Sequence, residues 1–159
     1  MAKKKSWREE LVDDKGLPKI ARIDGKMKKL NPRWDNGTCV IPAPIEVDEV
    51  MRKVPKGKLL TINEIRGFLA KKHRATMGCP ITTGIFAWFA AHAADEAAGE
   101  GKKRITPYWR TLKSGGELNP KYPGGIANLK SRLEAEGHRV IQKGKRFLVV
   151  EFEKSLLRL

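Results

Sequence analysis

A chain of 159 residues, 40% of them hydrophobic, is long enough for one ordinary core and too short for two, so one compact domain with extensions is expected. No apolar run reaches the length of a membrane span, no signal-peptide core follows the charged start, and Cys39 and Cys79 lack the spacing of a metal site or a disulfide framework. Lys and Arg number 33 against 18 Asp and Glu, a formal net charge of +15, which draws phosphate backbones through counterion release. Nucleic acid is therefore the first expected partner and an anionic membrane surface the second. A reducing cytoplasm with both thiols free is the expected compartment.

In chain order, the first 38 residues are polar and broken by Gly16, Pro18, Gly25, Pro32 and Gly37, with basic clusters at Lys3 to Lys5 and Lys26 to Lys29 and a lone Trp34 beside Arg33. They read as a solvated arm or as one that gains order on phosphates. Lys19 to Ile23 and Thr38 to Ile41 have the composition of short strands, closed by Pro42 and Pro44. Val47, Val50, Met51 and Val54 then form one apolar face of a short helix ended by Pro55-Lys56-Gly57.

Thr61-Ile62-Asn63-Glu64 is a capping box that fixes the start of a second helix, whose buried stripe is Ile62, Ile65, Phe68 and Leu69. Basic Lys71 to Arg74 load its last turn, where the dipole favours them. After a turn at Met77 to Pro80, a third helix is expected from Thr82 or Thr83 to about Ala98. Ile85, Phe86, Trp88, Phe89 and His92 supply its bulk, while Gly84, Ala87, Ala90, Ala91, Ala93 and Ala94 keep it thin. The two helices read as a helix-turn-helix. The thin face has two explanations: close helix packing, or a helix that lies in a narrow groove, which favours the minor groove of a duplex.

Lys102-Lys103-Arg104 is followed by Pro107-Tyr108-Trp109-Arg110, an unusual pair of aromatics for a connector. They line a pocket for an aromatic ligand such as a nucleobase turned out of a duplex, or they fill that space as core. A loop rich in glycine and proline runs from Lys113-Ser114 to Gly125, and Ile126, Leu129, Lys130 and Leu133 mark a last helix ending at Gly137. His138 to Gln142 and Arg146 to Phe152 are β runs joined at Lys143-Gly144-Lys145, a hairpin that serves as a wing beside the helices or as an edge pair. His73, His92 and His138 form no ligand cluster, so no metal and no cofactor is expected.

Val54-Pro55-Lys56-Gly57-Lys58, Thr61 to Ile65, the thin helix, Pro107-x-x-Arg110, Gly124-Gly125 and Leu133-Glu134-Ala135-Glu136-Gly137 occur in an order that resembles the DNA-binding domain of the O6-alkylguanine-DNA alkyltransferases (methylated-DNA-protein cysteine methyltransferases). The resemblance covers about residues 46 to 138. It implies a mainly α fold with small β elements (α+β), winged helix-turn-helix in kind: residues 1–45 a basic extension, 46–138 the DNA-binding domain and 139–159 a hairpin packed on it. It also implies a thin helix in the minor groove and a target guanine flipped into a pocket. In that family a Pro-Cys-His-Arg motif carries the cysteine that takes the alkyl group.

Here the cysteine position is Tyr108 and the histidine position Trp109. Alkyl transfer needs a thiolate activated by a neighbouring base, and a phenol beside an indole supplies neither. The family's pocket tyrosine falls on Ile62 and its base-displacing arginine near Thr82 or Thr83, and Glu96 to Lys103 are inserted. The chain therefore resembles the alkyltransferase-like branch, which binds alkylated DNA without repairing it.

That implies a lesion pocket of Pro107, Tyr108, Trp109, Arg110 and Glu136, and DNA contacts from Thr82, Thr83, Gly84, Ala87, Ala90, Ala91, Lys102, Lys103, Arg104, Lys113 and Ser114. The expected partners are double-stranded DNA, alkylated in the sharpest form, and a repair-pathway protein, with the chain itself a nucleoid-associated monomer. Two alternatives stand beside this reading: a basic nucleic-acid-binding module without lesion preference, and an active alkyltransferase using Cys79 or Cys39.

Overall fold

The computed structural model describes residues 5–23 and 37–159. Lys3, Lys4, the Lys26 to Lys29 cluster, Arg33 and Trp34 lie outside them. The described residues form an α+β fold in chain order α1 (Trp7–Val12), β1 (Lys19–Arg22), β2 (Thr38–Ile41), α2 (Pro44–Arg52), β3 (Leu60–Thr61), α3 (Ile62–Lys72), β4 (Met77–Gly78), α4 (Pro80–Gly99), β5 (Thr111–Leu112), α5 (Gly125–Ala135), β6 (Val140–Lys143) and β7 (Arg146–Val149). Among the described residues no helix is long and apolar enough to cross a membrane.

Helix α4 is the axis of the core. Its Ala87, Ala90 and Ala91 are fully buried in one cluster with Val47, Val50 and Met51 of α2, Ile65 and Leu69 of α3, and Leu129 and Leu133 of α5. Small side chains on α4 let neighbouring backbones come close, which is why a helix this central is poor in large residues on that side. Helix α1, absent from the sequence reading, covers the same axis from outside. Ser6 caps it, Trp7 stacks on His92 at 4.5 Å and meets Trp88 edge-on at 4.8 Å, and Arg8 pairs with Glu96 at 3.1 Å.

The capping box forms as expected in its return arm, with the Thr61 amide donating to Glu64 Oε2 at 2.9 Å. The Thr61 hydroxyl accepts from the Asn63 amide at 3.2 Å. Glu46, buried in α2, accepts from the Ala43 amide at 3.1 Å and pairs with Lys72 at 2.9 Å and His73 at 2.6 Å, tying the start of α2 to the end of α3.

Three boundaries differ from the sequence reading. Helix α4 begins at Pro80 with Cys79 as its cap residue, two to three residues before Thr82 and Thr83, because Pro at the first helical position needs no amide partner. The stretch Met77–Gly78 is not only a turn: it runs parallel to β2, Cys39 opposite Met77. Gly78 is required there, since a Cβ would stand 2.7 Å from the Arg66 carbonyl oxygen. The second hairpin strand stops at Val149 rather than Phe152, because Glu151 takes a left-handed φ of 53° and starts a tight turn.

Two short pairings position the functional face. β3 lies parallel to β5, Leu60 opposite Thr111, which sets the glycine-rich loop after Leu112 against the start of α3. The Leu118 amide donates to the Phe147 carbonyl at 2.9 Å, so the β6-β7 hairpin is fastened to that same loop.

Candidate nucleic-acid interface

The structure brings Pro107, Tyr108, Trp109, Arg110 and Glu136 together. The first four stand in or beside a single 3-10 turn, Tyr108–Arg110, and Glu136 ends α5. Trp109 Nε1 donates to Glu136 Oε2 at 2.8 Å, while Arg110 Nε reaches the two carboxylate oxygens at 2.9 and 3.2 Å and its Nη1 donates to the Val54 carbonyl at 2.7 Å. Burial pushes the Glu136 carboxyl up, but hydrogen bonds from Arg110 and Trp109 outweigh it and hold the group below the ordinary glutamate value. The Tyr108 hydroxyl accepts from Asn128 Nδ2 at 3.0 Å, and its ring meets Trp109 edge-on at 5.3 Å. Arg132 lies over the Trp109 ring at 4.3 Å.

Of the two readings of the aromatic pair, pocket lining or core, the packing matches the second. Tyr108 is 1% exposed and Trp109 9%, and their polar atoms are already partnered within the protein, so the segment is packed core in this structure. The aromatic pair fills its own space, with Glu136 taking the indole hydrogen and Arg132 covering the indole face.

An open cavity of about 800 Å³ lies elsewhere on the same side of α3. Its walls are the start of α3 (Ile62, Asn63, Arg66), the first turns of α4 (Pro80, Ile81, Gly84, Ile85, Trp88) and the glycine-rich loop (Lys113, Ser114, Asn119, Lys121). Asn63 Nδ2 donates to Ser114 Oγ at 3.0 Å and Arg66 Nη1 to Asn63 Oδ1 at 3.2 Å, which joins helix and loop across the cavity. Trp88 Nε1 donates to the Lys121 carbonyl at 3.1 Å, with His92 Nε2 3.2 Å from the same oxygen. Aromatic side chains of α4 thus hold the loop in place, while its lysines remain exposed.

Of the expected DNA contacts, Gly84, Lys113 and Ser114 line this cavity. Ala87, Ala90 and Ala91 do not: each is 0% exposed and faces the core, so the thin face is a packing face, as is Thr83 at 0%. Thr82 is half-buried and its hydroxyl has no partner. Lys102, Lys103 and Arg104 are exposed but follow the far end of α4, about 17 Å of helix beyond Trp88, the last residue of α4 to line the cavity, at about 1.5 Å per residue.

Sequence reasoning missed Asn63, Arg66, Ile81, Asn119 and Lys121 as cavity residues and gave Ile85 and Trp88 only as the bulk of their helix. A signal existed in Ile81, Gly84, Ile85 and Trp88, one turn apart on a single helical face. Of the two explanations left open for the alanine face, close helix packing is the one the structure shows; of the large residues, Phe86 joins that core, Trp88 is half-buried and Ile85 is exposed.

The cysteines are poor nucleophiles for this face. Cys39 is 1% exposed, and burial, with the Cys79 thiol beside it, pushes its own thiol up to about 11. Cys79 is half-buried at the cap of α4 and does not line the cavity.

No protein-family profile and no curated protein matches the chain. Its fold is similar to the crystal structure of S. pombe Atl1 in complex with damaged DNA containing O6-carboxymethylguanine, with a TM-score of 0.52 at 20% identity over 73% of this chain and 94% of that one. A second structure, of S. pombe ATL in complex with DNA, gives a TM-score of 0.53 with the same identity and coverage. At this identity the likeness shows the fold alone.

Proposed function

We propose that this protein is a non-enzymatic DNA-binding protein of the alkyltransferase-like kind, which holds O6-alkylated guanine in duplex DNA for other repair machinery. The observation that carries the reading is the cavity at the start of α4, walled by Arg66, Lys113 and Lys121, in a fold otherwise seen on damaged DNA. Apolar walls from Ile62, Ile85 and Trp88 suit a base face, and the lysines and arginine suit the phosphates on either side. The absence of transfer chemistry follows from the residues. Tyr108 stands at the family's cysteine position with a buried, hydrogen-bonded phenol, and the Cys39 thiol stays protonated at neutral pH.

A second reading is favoured by the packed Tyr108-Trp109 segment: duplex binding driven by charge, with no lesion preference. Both readings require Lys113 and Lys121 near phosphate. Lys113→Ala with Lys121→Ala should leave the fold intact, since both side chains are exposed, and should lower the salt slope of duplex binding by about 2. An unchanged slope would place the DNA on another face.

A further inference from the structure

A larger cavity, of about 1070 Å³, adjoins the first and shares Asn63 and Arg66 with it as a common wall. It is a groove between α3 and residues 156–159. Phe68, Leu156 and Leu157 stand half-buried along it, packed on the core beneath, and Leu159 is 45% exposed. An apolar strip of this kind at the surface marks a place where another molecule sits. Gly67 sharpens the point. It lies in the middle of α3, where glycine weakens a helix relative to alanine. A Cβ built on it would meet nothing within 4 Å, so no internal packing calls for the missing side chain. Gly67 instead leaves bare helix backbone in the groove, which a second chain can approach closely.

Charge selects the occupant. Lys71 and Arg158 are exposed in the groove, and Arg66 adds its charge from the shared wall while donating to the Gly78 carbonyl at 2.8 Å. Of the two acids there, Glu64 is committed to the Thr61 amide, which leaves Glu153. Three cations therefore face one open carboxylate. A second copy would bring its own charge of +15 against them, and a phosphate backbone offers nothing to Phe68 and the leucines. We propose that the groove is the docking site for an acidic amphipathic helix of a partner protein. Its apolar residues lie on Phe68, Leu156 and Leu157, its backbone passes Gly67, and its carboxylates meet Lys71 and Arg158. The inference goes beyond the DNA-binding reading and does not depend on it. Where that reading holds, the wall of Asn63 and Arg66 sets the partner beside the DNA.

The test uses the full chain and a fluorescein-labelled peptide with Leu and Phe at helical spacing among Asp and Glu. Two control peptides carry Lys in place of every acid, or Ser in place of every Leu and Phe. Fluorescence anisotropy should show the first peptide bound at least about tenfold more tightly than either control. Gly67→Leu fills the groove from a position with open space around it. It should melt at or above the wild-type temperature and lose at least about tenfold in peptide affinity. Lys71→Ala with Arg158→Ala should weaken the peptide by about tenfold and leave both the urea midpoint and the salt slope of duplex binding as in the wild type. Wild-type binding to the first peptide no tighter than to the controls overturns the docking site. A folded Gly67→Leu variant that keeps full affinity overturns it as well. A lowered salt slope in the Lys71 and Arg158 variant assigns the groove to the phosphate backbone instead. A wild-type dimer that Gly67→Leu turns into a monomer in sedimentation assigns it to a second copy.

Discussion

Glu136 is the acceptor on which the Pro107–Arg110 segment is built, taking hydrogen bonds from Trp109, Arg110 and the Gly57 amide. Its folded carboxyl lies below the ordinary glutamate value, so the unfolded chain holds that proton more tightly than the folded one. The stability it contributes is complete above the ordinary value of about 4.3 and is lost as the pH falls through the lowered folded value. Glu136→Gln should lower stability at neutral pH by roughly 2 kcal/mol, as expected for charge-assisted bonds made neutral, and should flatten the acid limb of a Tm-against-pH curve. An acid limb of wild-type steepness would mean that Glu136 is not the titrating group. Trp109→Phe removes one donor and should cost about 1 to 2 kcal/mol in urea unfolding while leaving the Arg110 pair in place.

Between α1 and α4 the contact is aromatic and sequence-distant. Trp7 packs on Trp88, Phe89 and His92, and the first and last of those donate to the carbonyl that holds the glycine-rich loop. Trp7→Ala should therefore do two things: lower the urea midpoint, by about 2 kcal/mol for a half-buried indole, and raise hydrogen exchange at residues 119–123. Loss of stability with unchanged exchange in the loop would show that the two ends are not coupled. Elements with a local signature were legible in the sequence: the box at Thr61–Glu64, the alternating hairpin strands and the strand at Thr38–Ile41. Helix α1 was not, because six residues held by a serine cap and a distant indole leave no periodic pattern. The two-residue strands β3 and β5 were missed for the same reason, since a pairing between Leu60 and Thr111 is decided by tertiary contact alone. The site was legible in part. Gly84, Lys113 and Ser114, named as DNA contacts by the resemblance, line the cavity, whereas the exposure of Ile81 and Ile85 is set by tertiary packing that composition does not report.

At the scale of the whole molecule, charge and fold point the same way. A net charge of +15 supplies attraction to any duplex, and the winged-helix domain similar to S. pombe Atl1 supplies a face on which α4 and the loop converge. The basic residues are spread, however. Lys113 and Lys121 flank the cavity, while Lys102 to Arg104 stand at the other end of α4, so a bound duplex that touches both sets must extend along the helix. Charge alone cannot tell alkylated guanine from guanine; in the function proposed above that discrimination falls to the cavity beside Ile85 and Trp88. The central claim, lesion recognition without transfer, is tested most directly by binding of the intact protein to two matched duplexes, one with O6-methylguanine and one with guanine, at two salt concentrations, with the intact mass recorded before and after. The account predicts at least about tenfold tighter binding to the lesion, roughly 1.4 kcal/mol, at both salt concentrations and no change in mass. Equal affinities, or a mass gain of one methyl group on either cysteine, would contradict it.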